Sequence, residues 1–486
     1  MTRNNTNFAE DRIEHVEQLE EQGYNSYPSD TPTPSADVDT FCQVYDDYED
    51  MEDIDMEWTL AGRITRVNEF GDFAFYDIDD RTNSVQVMCH SNNISDYEIL
   101  SHVNMGDHVV FTGTPERSNT GELTLNADSF TISSKSLTEH STDWNSLNEQ
   151  QSVEQRTSAL TSDDELFNSV RTRFELQQTI RSILESDGFL EVETPTMDHY
   201  SGGNESSSFD THCEAIDSEL SLRVAPELYL KRLITAGYSR IFEMARCYRN
   251  ESIDTTHNPE FTMLELYQTY ADYEDMMSLV ERIVFDSSQR VLDDETVVYD
   301  GEEVNLQPPW ERRTFDSLVD EYLDDVVGSD EEEDIREYLI NEYDSDVAED
   351  NGATYVDLTL ELFDRAIEPT LSGPIFVTDY PTVSTPLCQT VEDDESRVQR
   401  FEAFIEGMEI ANAYTELTNP VEQRDRFLDQ TGNSSEDVNE EFIQAISHGM
   451  PPTGGLGLGI DRVAMILTDS QSIKDVIPYP LSMNRV

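Results

Sequence analysis

A cluster of positive charge near the middle of the chain is the first place where residue types and spacing could do chemistry. Between Arg223 and Glu251 lie six basic and three acidic residues, whereas the whole chain has 30 Lys plus Arg against 103 Asp plus Glu. The planar arginine guanidinium makes two parallel, charge-assisted hydrogen bonds to phosphate or carboxylate. The cluster therefore predicts an anion-binding site. An ordinary hairpin with a satisfied Arg–Glu ion pair is the alternative, and the residues alone leave both open.

Two predicted strands would position these residues. Residues 240–249 mix apolar and polar positions as a half-buried strand does, residues 250–259 are rich in turn formers, and residues 261–267 alternate again. Because side chains alternate across a strand, Glu265 and Tyr267 are expected to point the same way.

Two later stretches also carry candidate binding residues. Residues 401–417 (FEAFIEGMEIANAYTEL) alternate like a strand, and Glu402 and Glu409 are candidates for Mg²⁺, which prefers oxygen ligands and accompanies phosphates. With 103 acidic residues in the chain, two ordinary surface carboxylates are the alternative that the residues alone favour. In residues 449–463 (GMPPTGGLGLGIDRV) the glycine run lets the backbone approach a ligand closely, and Arg462 follows in an apolar helix.

These stretches resemble the motifs of one enzyme family. RCYRNE followed by HNPEFTMLELY is similar to motif 2 of the class II aminoacyl-tRNA synthetases, and GFLEVETPTM and GMPPTGGLGLGIDRV resemble motifs 1 and 3. APELYLKRL, just before motif 2, is similar to the lysyl-tRNA synthetases in particular, which belong to class IIb. The resemblance covers nearly the whole chain, with gaps at residues 29–55 and in parts of 271–370.

The resemblance implies a reaction and its partners. ATP and L-lysine would form lysyl-adenylate and pyrophosphate, and the lysyl group would then move to the 3′ end of tRNA(Lys). The lysine carboxylate would attack the α-phosphate directly, so that catalysis rests on positioning and charge neutralisation. The resemblance also implies Mg²⁺ as the metal and a homodimer with motif 1 at its two-fold interface.

Roles for single residues are carried over from the matching motif positions. The residues implied for ATP are Arg249 (α-phosphate), His257 and Arg462 (β- and γ-phosphates), Phe261 (adenine stacking) and Glu251 (adenine amino group). Arg249 and Arg462 are also the implied catalytic residues. For lysine they are Gly203 and Glu227 (α-amine), Glu265, Tyr267 and Glu416 (ε-amine), and Asn412 (carboxylate). The implied Mg²⁺ ligands are Glu402 and Glu409, and the implied anticodon contacts are Phe75 (stacking), Gln86 and Glu122. For Phe75 a position in the barrel core is the alternative.

Three positions depart from the family pattern. The segment before residue 166 lacks the usual Arg-Tyr-rich stretch and keeps only Arg156 of it. Ser447 replaces an acidic residue upstream of the glycine run, and no arginine precedes Phe209. The first of these departures bears on how tRNA is handled.

Three other functions fit parts of the sequence. An aspartyl- or asparaginyl-tRNA synthetase would need cations or amides where Glu227, Glu265 and Glu416 stand, and those enzymes usually show SPQL in place of APEL. A ligase that attaches lysine to a translation factor would lack an N-terminal barrel, which the strand pattern predicts here. A non-catalytic binding protein is disfavoured because both arginines, both metal carboxylates and the lysine-site residues are present.

The order of predicted elements favours an α+β fold. Short alternating strands between residues 57 and 136 predict a five-stranded OB-fold barrel, a type that binds single-stranded bases. The class II resemblance implies a catalytic domain with an antiparallel sheet flanked by helices. Residues 1–55 are predicted to hold an N-terminal helix (9–23) and an acidic linker (29–55), and residues 56–137 the barrel. A hinge is predicted at 138–165, followed by the catalytic domain at 166–486. This domain is expected to contain a solvated, acidic, helical insertion at about 271–370.

Composition favours a soluble protein of the reducing cytoplasm. The sequence has no run of 18 apolar residues and no apolar signal region near its start. Its five scattered cysteines, without a CxxC pair, indicate neither a zinc site nor a disulfide framework. No membrane partner is therefore expected.

The charge of the chain indicates adaptation to high salt. The net charge is −73 with only three lysines, and the acids are spread over the whole length. Plentiful, periodic Tyr, Phe, Val, Ile and Leu argue against a disordered acidic protein. A halophilic protein fits better, because a Debye length of about 3 Å in molar salt screens the repulsion between acids.

The fold should therefore depend on salt. Below about 0.5 M salt the screening length grows, and the many acidic side chains repel one another. On dialysis from molar KCl to about 10 mM salt, circular dichroism should lose the native signal. An unchanged spectrum would contradict the adaptation.

Overall fold

The structure is a computed structural model that describes residues 8–46, 48, 56–118, 121–138, 148–199, 207–292, 294–430 and 438–481. The chain divides into two compact units, residues 1–145 and 146–486. Within the described ranges, no helix is both long enough and apolar enough to span a membrane.

The first unit is a closed five-stranded barrel accompanied by short helices. Its elements are α1 (Glu10–Glu21), α2 (Val38–Tyr45), β1 (Trp58–Phe70), β2 (Phe73–Asp79), β3 (Ser84–His90), a 3₁₀ turn (Tyr97–His102), β4 (His108–Arg117) and β5 (Leu123–Ser134). The barrel order is β1-β2-β3-β5-β4, with β3 and β5 parallel and the other pairs antiparallel. Inward side chains, among them Leu60, Tyr76 and Phe111, form one apolar core. The predicted OB-fold barrel and the predicted first helix are confirmed.

The structure has a helix inside the segment predicted as a linker, residues 29–55. Asp37 caps α2 by accepting a backbone N–H of the first turn at 2.8 Å. Phe41 and Tyr45 are buried in the barrel core, and Trp58 donates its indole N–H to the Tyr45 hydroxyl at 2.9 Å. The linker prediction is wrong at α2 because an apolar stripe at helical spacing outweighs the acidic, proline-rich surroundings.

The second unit is built on an eight-stranded sheet. The strands of this unit, eight of which form the large sheet, are β6 (Leu190–Glu191), β7 (Met197–Asp198), β8 (Asp210–Cys213), β9 (Ser218–Leu222), β10 (Arg240–Tyr248), β11 (Glu260–Thr269), β12 (Thr296–Tyr299), β13 (Glu302–Asn305), β14 (Glu311–Thr314), β15 (Pro374–Thr378), β16 (Thr390–Val391), β17 (Asp394–Val398), β18 (Arg400–Ile405), β19 (Met408–Thr415) and β20 (Thr453–Gly459). The large sheet has the order β14-β15-β18-β19-β20-β11-β10-β6, antiparallel except for the pairs β14–β15 and β10–β6.

Helices flank this sheet, as the predicted α+β class requires. They are α3 (Glu149–Glu154), α4 (Arg156–Ser162), α5 (Asp164–Ser186), α6 (Glu227–Thr235), α7 (Tyr273–Leu292), α8 (Phe315–Tyr322), α9 (Glu332–Tyr343), α10 (Asp346–Glu349), α11 (Tyr355–Leu362), α12 (Pro420–Gln430), α13 (Glu440–Ile446), α14 (Ile460–Leu467) and α15 (Ile473–Val476). Single π-helical turns lie at Leu323–Val327 and Phe363–Ile367, and 3₁₀ turns at Glu368–Thr370 and Thr382–Ser384.

Three helices, α5, α7 and α14, bury their apolar sides in one core with β11, β19 and β20. In α7, Met276, Val280 and Ile283 recur at helical spacing and are fully buried. The prediction of a solvated insertion at 271–370 is therefore wrong for α7. It is also wrong for β14, which pairs within the large sheet, and for α8, whose Phe315 belongs to a second apolar core.

Two other segments differ in detail from their predictions. Residues 188–197, which resemble motif 1, do not form one continuous strand: Leu190–Glu191 pair in parallel with β10, and Met197 begins β7, which pairs with β9. Of the predicted hinge, residues 139–147 lie outside the described ranges. Arg156, further along the hinge, is 3% exposed and donates to two backbone carbonyl oxygens near the C-terminal end at 2.7 Å each. This arginine therefore ties α4 to the C-terminal segment.

A buried ion pair fastens α14 to the rest of the core. Asp461 accepts from Arg173 Nε of α5 at 2.5 Å and from the backbone N–H of Thr262 in β11 at 2.8 Å. Arg173 also donates to the Thr262 hydroxyl at 2.9 Å. Both charged side chains are nearly inaccessible to water. Because Arg462 follows Asp461 directly, this network holds the helical turn that carries Arg462.

Asp461→Asn should destabilise the second unit strongly, because it leaves the Arg173 charge buried without an ionic partner. Breaking one side of a buried pair costs about 3–5 kcal/mol. Glu175→Gln is the matched control, since its partner Arg171 lies on the same helix but both side chains are about half exposed, and such pairs contribute about 0–1 kcal/mol. Urea unfolding at molar salt compares them, and equal losses would contradict the role given to Asp461.

Candidate active site

A cavity of about 450 Å³ lies in the second unit. Strands β11, β18, β19 and β20, the segment between β10 and β11, and the first turns of α6 and α14 line it. Eleven of the sequence-predicted site residues are on its wall: Glu227, Arg249, Glu251, His257, Phe261, Glu265, Tyr267, Glu402, Glu409, Asn412 and Arg462. Glu416 is close by but not among the lining residues, and Gly203 lies outside the described residues.

Strand alternation determines which side chains of β11 reach the cavity. Leu264 and Leu266 point into the apolar core, and Glu265 and Tyr267 alternate with them to face the cavity. The Tyr267 hydroxyl donates to Glu265 Oε2 at 3.1 Å. On the neighbouring strand, Gly455 lies opposite Tyr267, and a Cβ there would come within 2.6 Å of the tyrosine ring. Glycine at this position therefore makes room for the ring.

A buried lysine brings a positive charge next to these carboxylates. Lys231 of α6 is fully buried, and its Nζ lies 2.8 Å from Glu227 Oε1 and contacts Glu416 Oε2. These contacts are ion pairs, because neither Nζ nor the Glu416 oxygens are aligned for a hydrogen bond with a described residue. The Tyr414 hydroxyl donates to the same Glu227 oxygen. The structure thus places Glu416 against Lys231, behind the residues that line the cavity.

Burial and neighbouring charges perturb the pKa values of this group. Burial, and then the charge of Glu227, raise the pKa of Glu265 to about 8. Burial likewise raises the pKa of Glu416 to about 8 despite its contact with Lys231. Burial acts to lower the pKa of Lys231, but Glu227 and Glu416 outweigh it, so that the pKa of Lys231 lies above the ordinary lysine value. Perturbed groups of this kind on a cavity wall are typical of sites that bind charged ligands.

The other end of the cavity, which we call the cationic end, carries Arg249, Arg462 and His257. The Arg249 guanidinium lies 5.1 Å from the centre of the Phe261 ring, and its buried Nε has no hydrogen-bond partner among the described residues. Arg462 Nη1 donates to the Glu409 carbonyl at 2.7 Å and to the Glu409 carboxylate at 3.0 Å. Arg462 Nη2 lies 3.1 Å from His257 Nε2. This arrangement is suited to a phosphate chain joined to a planar ring.

Carboxylates gather on β18 and β19 beside the cationic end. Glu402 accepts from the Tyr380 hydroxyl at 2.7 Å and from Asn412 Nδ2 at 3.1 Å, and it pairs with Arg400. Burial raises the pKa of Glu402 to about 7 even though Arg400 opposes the shift. Burial, and then the charges of the carboxylates on these strands, raise the pKa of Glu368 to about 8. Negative charge at this place is therefore incompletely compensated.

The donor set fits Mg²⁺ as an ion shared with a phosphate ligand. Within the described part of the chain, no three His, Cys, Asp or Glu side chains are grouped to hold a metal by themselves. In phosphate sites Mg²⁺ is usually held by one or two carboxylates together with phosphate oxygens and water. Glu402 and Glu409 offer such oxygens, and burial together with the charge of Glu409 keeps the pKa of Glu402 raised.

Sequence reasoning misses four residues that take part in this site: Lys231, Glu368, Arg400 and Tyr414. Two of them carry a local signal. Lys231 stands four residues after Glu227 on one helix face, and Arg400 stands two residues before Glu402 on one strand face. Glu368 begins a 3₁₀ turn after a π-helical turn, and no local pattern distinguishes it.

The predicted anticodon contacts belong to the first unit, on the outer face of the barrel. Phe75 is half-buried between two fully buried neighbours, so that its ring is on the outer side of β2. Its ring centre lies 6.3 Å from that of Phe70. Gln86 Nε2 lies 3.4 Å from Glu122 Oε2. The alternative interpretation of Phe75 as a core residue does not agree with this placement.

The chain is similar to known proteins along nearly its whole length. Residues 148–483 match the family of class II tRNA synthetases (D, K and N), and residues 58–133 match the OB-fold nucleic acid binding domain. The chain is 36% identical to a lysine–tRNA ligase of Thermotoga sp. (strain RQ2), over 98% of this chain and 95% of that protein. It is 38% identical to a lysine–tRNA ligase of Trichormus variabilis, over 97% of this chain and 86% of that protein. It is 37% identical to a lysine–tRNA ligase of Enterococcus faecalis, over 96% of both.

The raised pKa of Glu265 predicts a pH effect on stability. A carboxyl whose pKa is about 8 in the folded chain, above its usual value when unfolded, binds more protons in the folded state. Stability should therefore fall as pH rises towards 8. Between about pH 6 and 8, the melting temperature of Glu265→Gln at molar KCl should vary less than that of the parent chain. Glu175→Gln, an exposed control, should follow the parent, and an identical profile for Glu265→Gln would contradict the shift.

Proposed function

We propose that this chain, which belongs to the class II tRNA synthetases (D, K and N), activates L-lysine with ATP and ligates it to tRNA(Lys). The observation that carries the proposal is a pair of buried carboxylates, Glu227 and Glu265, on the wall of a cavity whose other end is cationic. Lysine brings two ammonium groups to two carboxylates, and its own carboxylate can lie towards the cationic end. The similarity to lysine–tRNA ligases over nearly the whole chain supports the same substrate.

Aspartate and asparagine, which the family also covers, fit this cavity less well. The side chain of either would lie beside Glu265, which is 6% exposed. Aspartate would bring a third carboxylate to the buried pair Glu227 and Glu265, and asparagine carries no positive charge that could compensate them. A lysine ligase that acts on a translation factor is a second alternative, and the OB-fold match at residues 58–133 favours tRNA as the acceptor.

On this proposal ATP occupies the cationic end. Phe261 stacks on the adenine, and Glu251 accepts from the adenine amino group. Arg249 holds the α-phosphate and the lysine carboxylate together, which brings the attacking oxygen to the phosphorus. The buried, unpartnered Nε of Arg249 supports this assignment, since a buried donor needs an acceptor.

The β- and γ-phosphates of ATP lie with His257 and Arg462 in this scheme. Glu402 and Glu409 would hold Mg²⁺ together with phosphate oxygens, and bound Mg²⁺ would neutralise charge on the phosphates. The contacts of Arg462 with His257 and Glu409 orient its guanidinium before ATP binds. Arg462 then stabilises the charge that develops on the pyrophosphate as it leaves.

Lysine occupies the end formed by β11 and α6. Glu227, with Gly203, takes the α-ammonium, and Asn412 donates to the lysine carboxylate. Glu265 and the Tyr267 hydroxyl take the ε-ammonium. Glu416 is the third residue that the resemblance assigns to the ε-ammonium, and in the structure it is paired with Lys231. The carboxylate attacks the α-phosphate in line, and the proposed reaction needs no nucleophile from the protein.

A homodimer, a cytoplasmic location and a halophilic class IIb type complete the proposal. Leu190 of the edge strand β6 and Met197 are 51% and 55% exposed, and a two-fold contact would bury this apolar surface. The net charge of −73 supports a salt-rich cytoplasm as the working environment. The N-terminal OB-fold match supports the class IIb type.

Amino-acid-dependent ATP–pyrophosphate exchange at molar KCl tests the proposed function. L-Lysine should support exchange, whereas L-aspartate and L-asparagine should not. Glu265→Gln should raise the KM for lysine about 10- to 100-fold, because a hydrogen bond to a charged group contributes about 1.5–3 kcal/mol. The KM for ATP should change little, and the exposed Glu175→Gln serves as the control. Exchange with aspartate or asparagine, or none with lysine, would overturn the proposal.

The barrel residues lead to a separate prediction. Phe75→Ala should reduce tRNA charging through the loss of base stacking, which contributes about 1–3 kcal/mol per base. Lysine-dependent exchange should stay near the parent rate, because the reaction centre lies in the second unit. Phe75→Tyr keeps an aromatic ring and should retain charging. If Phe75→Ala lowers both activities equally, the residue has a structural role instead.

A further inference from the structure

We infer that Lys231 is a positioning residue for amino-acid recognition, which holds Glu227 so that one carboxylate oxygen is available to the α-ammonium of the substrate. The inference rests on the proposed function and adds a residue to it. Lys231 is fully buried, in a chain that has only three lysines. A buried ammonium is costly to desolvate and persists in a fold where it is paired.

The contacts of Glu227 with described residues leave one of its oxygens without a hydrogen-bond or ion-pair partner. Lys231 Nζ lies 2.8 Å from Glu227 Oε1, and the Tyr414 hydroxyl donates to the same Oε1. Neither contact uses Oε2, and Glu227 lines the cavity. Two groups from different elements, α6 and β19, thereby fix the carboxylate and leave Oε2 for a ligand.

Glu416 holds Lys231 from a second direction. Its Oε2 contacts Lys231 Nζ, and Glu416 is only 2% exposed. The Tyr414 ring centre lies 5.3 Å from the same ammonium, a cation–π distance. Two carboxylates and one ring therefore enclose the ammonium. Glu416 and the Tyr414 ring therefore hold the ammonium in addition to Glu227, which is the group that meets the substrate.

The charges of the group match those of a lysine substrate. With Lys231 paired to Glu416, the two carboxyl groups left to face the two ammonium groups of a bound lysine are those of Glu227 and Glu265. Without Lys231, three buried carboxylates would share two ammonium groups, and such a group tends to take up a proton. Lys231 therefore fixes the orientation of Glu227, whereas a proton can replace its charge when it is absent.

Lys231→Met in the full chain, assayed by pyrophosphate exchange at molar KCl, tests this inference. The KM for lysine should rise about 10- to 100-fold, the range for a lost charged hydrogen bond, while the KM for ATP changes little. The probe that isolates Glu227 is 6-aminohexanoic acid, which keeps the ε-amine and the carboxylate but lacks the α-amine. In Lys231→Met, the constant for inhibition of lysine-dependent exchange by 6-aminohexanoic acid should stay near its value in the parent chain. Equal losses for lysine and 6-aminohexanoic acid would overturn the inference.

A double-mutant cycle with Glu227→Gln distinguishes action through Glu227 from a general effect on packing. Lys231→Met should add little to the KM for lysine when Glu227 is already changed, whereas additive effects would overturn the inference. Tyr414→Phe removes the other Oε1 contact with little change in volume, and it should give the same pattern in weaker form. If Lys231→Met does not fold, Tyr414→Phe tests whether the contacts at Glu227 Oε1 act on lysine binding through Glu227. Absence of lysine-dependent exchange in the parent chain would instead overturn the proposed function.

Discussion

Several carboxylates are buried around one cavity of the second unit, and compensating their charge is the constraint on which the site depends. Glu227, Glu265 and Glu416 are each at most 6% exposed. Carboxylates at such short separations repel one another strongly in a low-dielectric interior. Among the described residues the fold supplies the ammonium of Lys231, two tyrosine hydroxyls and, near Glu265, the charge of Arg249. Compensation is therefore incomplete, and the cavity is suited to a ligand that brings further positive charge.

Acidic side chains are compensated differently inside the protein and at its surface. In a chain of net charge −73, molar salt screens the exposed acids, but ions in solution screen buried groups much less. Buried acids therefore need fixed cations, and arginines pair with them: Arg173 with Asp461, and Arg223 with Glu243. Several of the few basic residues thus serve the interior and the cavity, where salt cannot replace them.

Much of the site can be predicted from the sequence because its information is local. Alternation in residues 261–267 places Glu265 and Tyr267 on one face, and the motif positions converge on one cavity. Contacts between distant segments cannot be predicted in this way. Arg173 and Asp461 are 288 residues apart in the chain, and Lys231 meets Glu416 only because α6 packs beside the end of β19. The position of Glu416 behind the wall, and the buried side of α7, follow from such packing.

The proton balance of lysine binding tests the central claim most directly. Glu265, with a pKa of about 8 in the free protein, should lose a proton when an ammonium group arrives beside it, since an opposite charge lowers a carboxyl pKa. Isothermal titration calorimetry with L-lysine at about pH 7.5 and molar KCl, in buffers of different ionisation enthalpy, counts the protons exchanged. The account predicts net proton release that is reduced in Glu265→Gln. Binding without proton exchange, or with proton uptake, would contradict the claim that the ammonium groups of lysine neutralise the buried carboxylates.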